Sequence, residues 1–200
     1  MVIHSAEFIK SSATYLACPN EAYPEYAFLG RSNVGKSSLI NMLTNVAKLA
    51  KISSRPGKTQ LINHFLINQA WFLTDLPGFG FAKVPVAIKK KWEGLIKNYL
   101  LQRENLVCSF VLIDIRHEPL KNDLEFLEWC GSNHVPFYIV FTKADKLTHG
   151  QQKAAVQKYM SVLAKQWDPV PPYVLSSSQT SQGRDEILQI IEDSNHLVQS

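Results

Sequence analysis

GRSNVGKS, residues 30–37, decides how the rest of this chain is read. It fits G-x-x-x-x-G-K-[ST], follows the strand-like run YAFL and leads into a helical pattern from Ser37 to Leu43. That context of strand, glycine-rich turn and helix gives the motif its meaning. Glycines let the backbone wrap an anion, so that successive N–H groups can donate to phosphate oxygens. The helix N-terminus adds a favourable dipole. Lys36 can neutralise phosphate charge, and the Ser37 hydroxyl can ligate Mg²⁺. Gly30, Arg31, Ser32, Asn33, Val34, Gly35, Lys36, Ser37 and Ser38 are therefore the expected phosphate cradle.

Outward from this turn, short apolar runs end in polar motifs: AWFLTD, VCSFVLID and FYIVFTKAD. Continuous apolar runs rich in β-branched and aromatic residues suit strands buried on both faces. Helical stripes lie between them, one through Ile88, Trp92, Leu95 and Tyr99 and others through Leu124 and Leu127, Val156 and Leu163, and Ile187 and Ile191. Alternating strands and helices imply a mainly parallel sheet covered on both faces. LINHFLI and AWFLTD are separated by Asn68 and Gln69 alone, too few for a crossover, so this pair is expected antiparallel. The expectation is an α/β fold with a mixed sheet of about six strands. One domain spans 1–200, with a short N-terminal extension over about residues 1–22. Ligands of such sheets sit beyond the carboxyl ends of the strands, where the polar motifs fall.

Those motifs carry distinct chemistries. Asp75 of DLPG ends a strand and can hold a magnesium-bound water, and the Gly78 amide can approach a terminal phosphate. Phe79 follows, and a phenyl ring can neither orient nor deprotonate water. In the polar stretch SSRPGKTQ, Thr59 is the candidate to complete the Mg²⁺ shell, in competition with Ser53 and Ser54. Thr142, Lys143 and Asp145 of TKAD end another strand. The Asp145 carboxylate can accept two hydrogen bonds from guanine, a donor pair that adenine lacks. The serine run Ser176–Ser178 stands near the next strand end, where backbone N–H groups could reach the guanine carbonyl; its alternative reading is a loop or helix N-cap.

Composition narrows the setting. With 46% apolar and 19% charged residues, the chain can bury one core and is not a disordered segment. There is no signal-like start and no apolar run of membrane-spanning length, so no membrane partner is expected. The three cysteines have no metal-like spacing, and Cys108 and Cys130, in apolar contexts, read as buried thiols of a reducing cytoplasm. The net charge of +4 is unevenly spread: residues 48–103 hold ten Lys/Arg against two Asp/Glu. That segment is either a polyanion-facing surface or a solvated helix face. Lys89, Lys90, Lys91 and Lys97 lie within it.

The order GRSNVGKS, PGKT, DLPG, TKAD and a serine-rich loop resembles the GTPases of the TrmE–Era–EngA–EngB group. The phrases PEYAFLGRSNVGKSSLIN, SSRPGKTQLINHF and DLPGFGFAKV are most similar to the EngB (YihA, YsxC) family of ribosome-biogenesis GTP-binding proteins. The resemblance implies a Ras-like G domain that binds GTP and GDP with Mg²⁺. It implies slow intrinsic hydrolysis, a role in assembly of the large ribosomal subunit and in normal cell division, and contact with rRNA. A monomer is expected. It assigns Ser37, Thr59 and, through water, Asp75 to the Mg²⁺, and Ser177 and Ser178 to the base. In the resembling group an asparagine at the position of Asn33 can ligate K⁺, and an apolar residue replaces the water-positioning glutamine, as Phe79 does here. The Ser176–Ser178 loop departs from that group's usual Ser-Ala-Lys wording. The competing readings are a P-loop ATPase or nucleotide kinase, and an rRNA-binding module that nucleotide merely stabilises.

Overall fold

The computed structural model describes residues 1–50, 61–79 and 86–199. Thr59 falls outside them, as do the side chains of Lys89 and Lys91. The elements are β1 (Ala6–Ser12), β2 (Glu25–Gly30), α1 (Lys36–Thr44), β3 (Ile62–Ile67), β4 (Trp71–Asp75), α2 (Val86–Gln102), β5 (Leu106–Asp114), α3 (Lys121–Ser132), β6 (Phe137–Thr142), α4 (His149–Leu163), β7 (Tyr173–Leu175) and α5 (Arg184–Gln199).

Among the described residues these strands form one seven-stranded sheet in the order β1-β3-β4-β2-β5-β6-β7. Only β3 runs against the others, pairing antiparallel with β1 and β4, while β2 lies parallel between β4 and β5. The expected hairpin is present. Asn68 and Gln69 both have φ near 52°, and the Ala70 N–H donates to the Ile67 carbonyl at 3.0 Å. Positive φ at both central residues gives the turn the twist that antiparallel strands require. The strand count exceeds the expected six because β1 arises from the stretch expected as an extension. Asn68 helps fasten it, its Oδ1 accepting from the His4 and Ser5 N–H groups at 2.7 and 3.1 Å.

Strand side chains alternate between two cores. Ala27, Leu29, Val111, Ile113, Ile139 and Phe141 pack toward α2, α3 and α4, with Tyr99, Leu127 and Tyr159. Tyr26, Phe28, Phe110, Leu112 and Val140 pack toward α1 and α5, with Leu39, Leu43, Ile187 and Ile191. The sheet is therefore covered on both faces, as its continuous apolar strands require. Its carboxyl edge brings Gly30, Asp75, Asp114 and Thr142 to one end: Phe28 is level with Asp75, Gly30 with Leu112, and Asp114 with Thr142.

Candidate nucleotide site

The turn from β2 to α1 is shaped by steric exclusion. A Cβ on Gly30 would stand 2.7 Å from the Leu112 carbonyl oxygen, so no other residue fits beside β5 without movement. Gly35 has φ of 105°, which L side chains rarely adopt, and places α1 to begin at Lys36. Asn33 has φ of 62°, a conformation that asparagine tolerates better than most residues. Val34 is buried in the α1 core and pins the turn, its N–H donating to the Arg31 carbonyl at 3.2 Å. Ser32 and Asn33 are exposed, and Ser37 and Ser38 are half-buried at the start of α1.

Lys36 pairs with Asp75 at the end of β4, and both are largely buried. Burial pulls the Lys36 ammonium down to about 7. A nearby opposite charge favours the charged form, which is what Asp75 supplies and what phosphate oxygens would supply. Gly78 is buried next to the seam at which the Phe79 N–H donates to the Gly30 carbonyl at 3.2 Å. The Phe79 ring is only 6% exposed and stacks on Phe126, which removes it from the phosphate side.

TKAD divides into three roles. Thr142 points inward, its hydroxyl donating to the Val34 carbonyl at 2.6 Å, so it braces the cradle from β6. Lys143 sits at φ 61° and spans the cradle, with Nζ donating to the Asn33 carbonyl at 2.7 Å and pairing with Asp114 at 2.9 Å. Asp114 is partly desolvated, but hydrogen bonds from Arg116 and Lys143 outweigh that and hold its carboxyl well below the usual carboxylate range. Asp145 Oδ1 accepts from the Ser177 hydroxyl at 2.7 Å, the leading cause of its lowered pKa, and Oδ2 pairs with Lys146 at 3.0 Å. A pocket beside the cradle is lined by Gly35, Lys143, Asp145 and Ser178 among others.

Several site residues carry roles that the motifs do not spell out. The Ser177 N–H donates to the Gln182 carbonyl at 3.2 Å, and its hydroxyl also accepts from the Gln179 and Thr180 N–H groups. Ser177 thus orients Asp145 through its side chain, while Ser176 and Ser178 on either side of it line the pocket. Gln152, buried in α4, donates to the Ala144 and Leu147 carbonyls and fixes the turn that carries Asp145. Arg31 directs its side chain to α3, 4.0 Å from Asp123. No motif flags Gln152 or Asp123; their only sequence signal is a polar residue on a helix face otherwise turned inward. Lys90 and Lys97 are exposed on α2, and Lys97 Nζ lies 5.1 Å from the Trp129 ring centroid.

The family described as "50S ribosome-binding GTPase" matches residues 25–143, from the start of β2 to Lys143. A protein of Phocaeicola vulgatus named "Probable GTP-binding protein EngB" is 54% identical over 200 residues, covering the whole of both chains. The chain belongs to the EngB family of GTP-binding proteins. An EngB-family protein of Flavobacterium johnsoniae is 52% identical over 199 residues, 99% of this chain and 95% of that one. Among solved structures, a crystal structure of a "probable GTP-binding protein engB" superposes with a TM-score of 0.71 at 21% identity, covering 86% of this chain and 98% of the other. Era in complex with MgGDPNP and a segment of 16S ribosomal RNA superposes with a TM-score of 0.66 at 22% identity, over 84% of this chain and 55% of Era. At those identities the superpositions establish the Ras-like fold. The family establishes a GTP-binding GTPase.

Proposed function

We propose that this EngB-family GTPase is a guanine-nucleotide switch that acts in assembly of the large ribosomal subunit. The observation that carries the switch is the shared sheet edge: the cradle Gly30–Ser37, the Lys36–Asp75 pair and the Ser177-held Asp145 occupy neighbouring strand ends. Phosphates lie against the N–H groups of the cradle, and Lys36 exchanges Asp75 for phosphate oxygens. Asp145 accepts from the guanine base, with the Lys143 stem beside it and Ser178 at the pocket wall.

Ser37 Oγ and the Asp75 carboxylate are hard oxygen donors, the set that Mg²⁺ takes with phosphates and water. They fit that ion, Asp75 through a water and Thr59 adding a further hydroxyl. Bound Mg²⁺ supplies charge neutralisation on the β- and γ-phosphates. Phe79 offers no polar group, so the chain's own residues position GTP well and hydrolyse it slowly. Asn33, exposed beside the cradle, is the candidate K⁺ ligand that adds cationic charge.

The family description, the Era–rRNA likeness and the basic segment 48–103 support a ribosomal partner. Lys90 and Lys97, exposed on α2, contact rRNA together with Lys89 and Lys91 of the same basic segment. The protein works as a monomer in the cytoplasm, and normal cell division depends on it through ribosome supply. Among the described residues, no helix is long and apolar enough to cross a membrane. Cosedimentation with separated large and small subunits tests the reading. The GTP-bound protein binds large subunits better than the GDP-bound protein, with a steep salt slope, and reversing the charge of Lys89, Lys90 and Lys91 flattens that slope. Equal binding of both nucleotide states, or an unchanged slope, contradicts it.

A further inference from the structure

A second cleft opens beside the cradle, lined by Arg31, Ser32, Asn33, Asp114, His117 and Asp123 among others. Asp123 lies in the first turn of α3 and is only 3% exposed. Its Oδ1 and the Arg31 Nε are both buried without a hydrogen-bond partner, so each is the other's electrostatic compensation at 4.0 Å. The other groups that face Asp123 are His117, from the loop before α3, and the Tyr159 hydroxyl of α4, itself buried and unpartnered. Farther along the cleft, Asp114 is held by Arg116 and Lys143. Arg31 is the second residue of the cradle. Its carbonyl accepts from Val34, and its backbone bridges that of Phe79 beside the Gly30–Phe79 hydrogen bond.

We propose that Asp123 is a positioning residue for the cradle: its carboxylate holds the Arg31 guanidinium against α3 and so fixes the backbone of residues 30–34 and its seam with Phe79. Charge on Asp123 then governs how long nucleotide stays bound. The inference rests on the cradle being the nucleotide site.

The fold itself gains nothing from that charge. Burial pushes the Asp123 carboxyl up to about 6, with Arg31 and His117 offsetting only part of the cost. Between the ordinary value of 3.8 and this raised one, the folded protein keeps a proton that the unfolded chain has lost. Stability therefore falls as pH rises through that window. A group that merely supported the fold would show the opposite balance. Asp123→Asn, which removes the charge and keeps the shape, thus has two effects of opposite sign: firmer folding and a looser cradle.

The experiment measures release of a fluorescent N-methylanthraniloyl-GDP together with thermal unfolding of the nucleotide-free protein. At about pH 8, Asp123→Asn releases the probe about three- to tenfold faster than wild type, as loss of a partly exposed pair predicts, while its thermal midpoint is equal or higher. At about pH 5, where wild-type Asp123 is itself protonated, the ratio of the two rates falls toward 1; groups present in both proteins cancel in that ratio. The ratio behaves the same in a His117→Gln background and stays near 1 at all pH values in an Arg31→Ala background. Unchanged release, a ratio independent of pH, or faster release with a lowered midpoint overturns the proposal. Failure of wild type to bind the probe at all instead overturns the nucleotide-site reading.

Discussion

Phe79 stacks on Phe126 of α3, with ring centroids 4.3 Å apart and planes 14° apart. The residue that follows Gly78 is therefore committed to packing. Phe126 in turn stacks on Trp129, whose ring lies under the Lys97 ammonium. An aromatic path thus runs from the end of DLPG to the basic helix α2.

Phe79→Ala removes a buried ring without removing a catalytic group. Thermal or urea unfolding of the variant shows a loss of about 3 kcal/mol, the usual scale for a buried phenylalanine. Single-turnover GTP hydrolysis, measured below the unfolding range, stays within about threefold of wild type, since a change near 0.6 kcal/mol is all that rate difference represents. A large loss of hydrolysis with nucleotide binding intact would show that the ring acts on the chemistry.

At the opposite end of β2, Glu25 is fully buried among His64, Tyr99 and Arg103. Burial alone would raise its pKa, but hydrogen bonds from His64, Arg103 and Tyr99 more than reverse this and hold it below the ordinary 4.5. A lowered carboxylate pKa contributes stability above the unfolded value and loses it as pH falls through the folded one. Glu25→Gln, which leaves Arg103 without its charged partner, should cost about 3 kcal/mol near neutral pH. The deficit against wild type shrinks on acidification below the ordinary carboxylate range. Urea unfolding at neutral and acid pH checks both statements, and a deficit that is constant with pH contradicts them.

The cradle, the β3–β4 hairpin and the TKAD strand end were legible because each pairs a backbone requirement with a residue type that meets it: glycine at φ 105°, Asn-Gln at a tight turn, apolar runs in buried strands. β1 was not legible for the converse reason. Its edge position leaves Phe8 and Ile9 54% and 40% exposed, and a register shift between Phe8 and Lys10 breaks the alternation that marks a strand. The direction of the Arg31 and Thr142 side chains also lay beyond the sequence. Both lie within the motifs, and one side chain reaches α3 while the other reaches the Val34 carbonyl, contacts set by tertiary packing. Within the serine run, whose backbone N–H groups were expected near the base, the Ser177 N–H is taken by Gln182 and its hydroxyl donates to Asp145.

Asn33 combines exposure with a φ of 62°, and its carbonyl is already engaged by Lys143. If its amide oxygen ligates K⁺, hydrolysis is faster in K⁺ than in Na⁺ at equal ionic strength, by tenfold or more on the scale of a supplied cationic charge, about 1.4 kcal/mol or above. Asn33→Ala abolishes the difference while retaining GTP binding. Equal steady-state rates of wild type in the two salts would remove the K⁺ role and leave Asn33 as a turn residue.

If a guanine nucleotide occupies the cradle, Asp145, held by the Ser177 hydroxyl at 2.7 Å, reads its base. The direct measurement is the affinity of wild type and Asp145→Asn for GTP and for xanthosine triphosphate, by fluorescence titration. The amide loses the charged acceptor for the guanine N–H donors and presents a donor to the xanthine carbonyl. GTP affinity falls by about a hundredfold, the worth of a charge-assisted pair of hydrogen bonds, and affinity for the xanthine nucleotide rises. Unchanged GTP affinity with no gain for the xanthine nucleotide would contradict the account, because the base would then be read elsewhere.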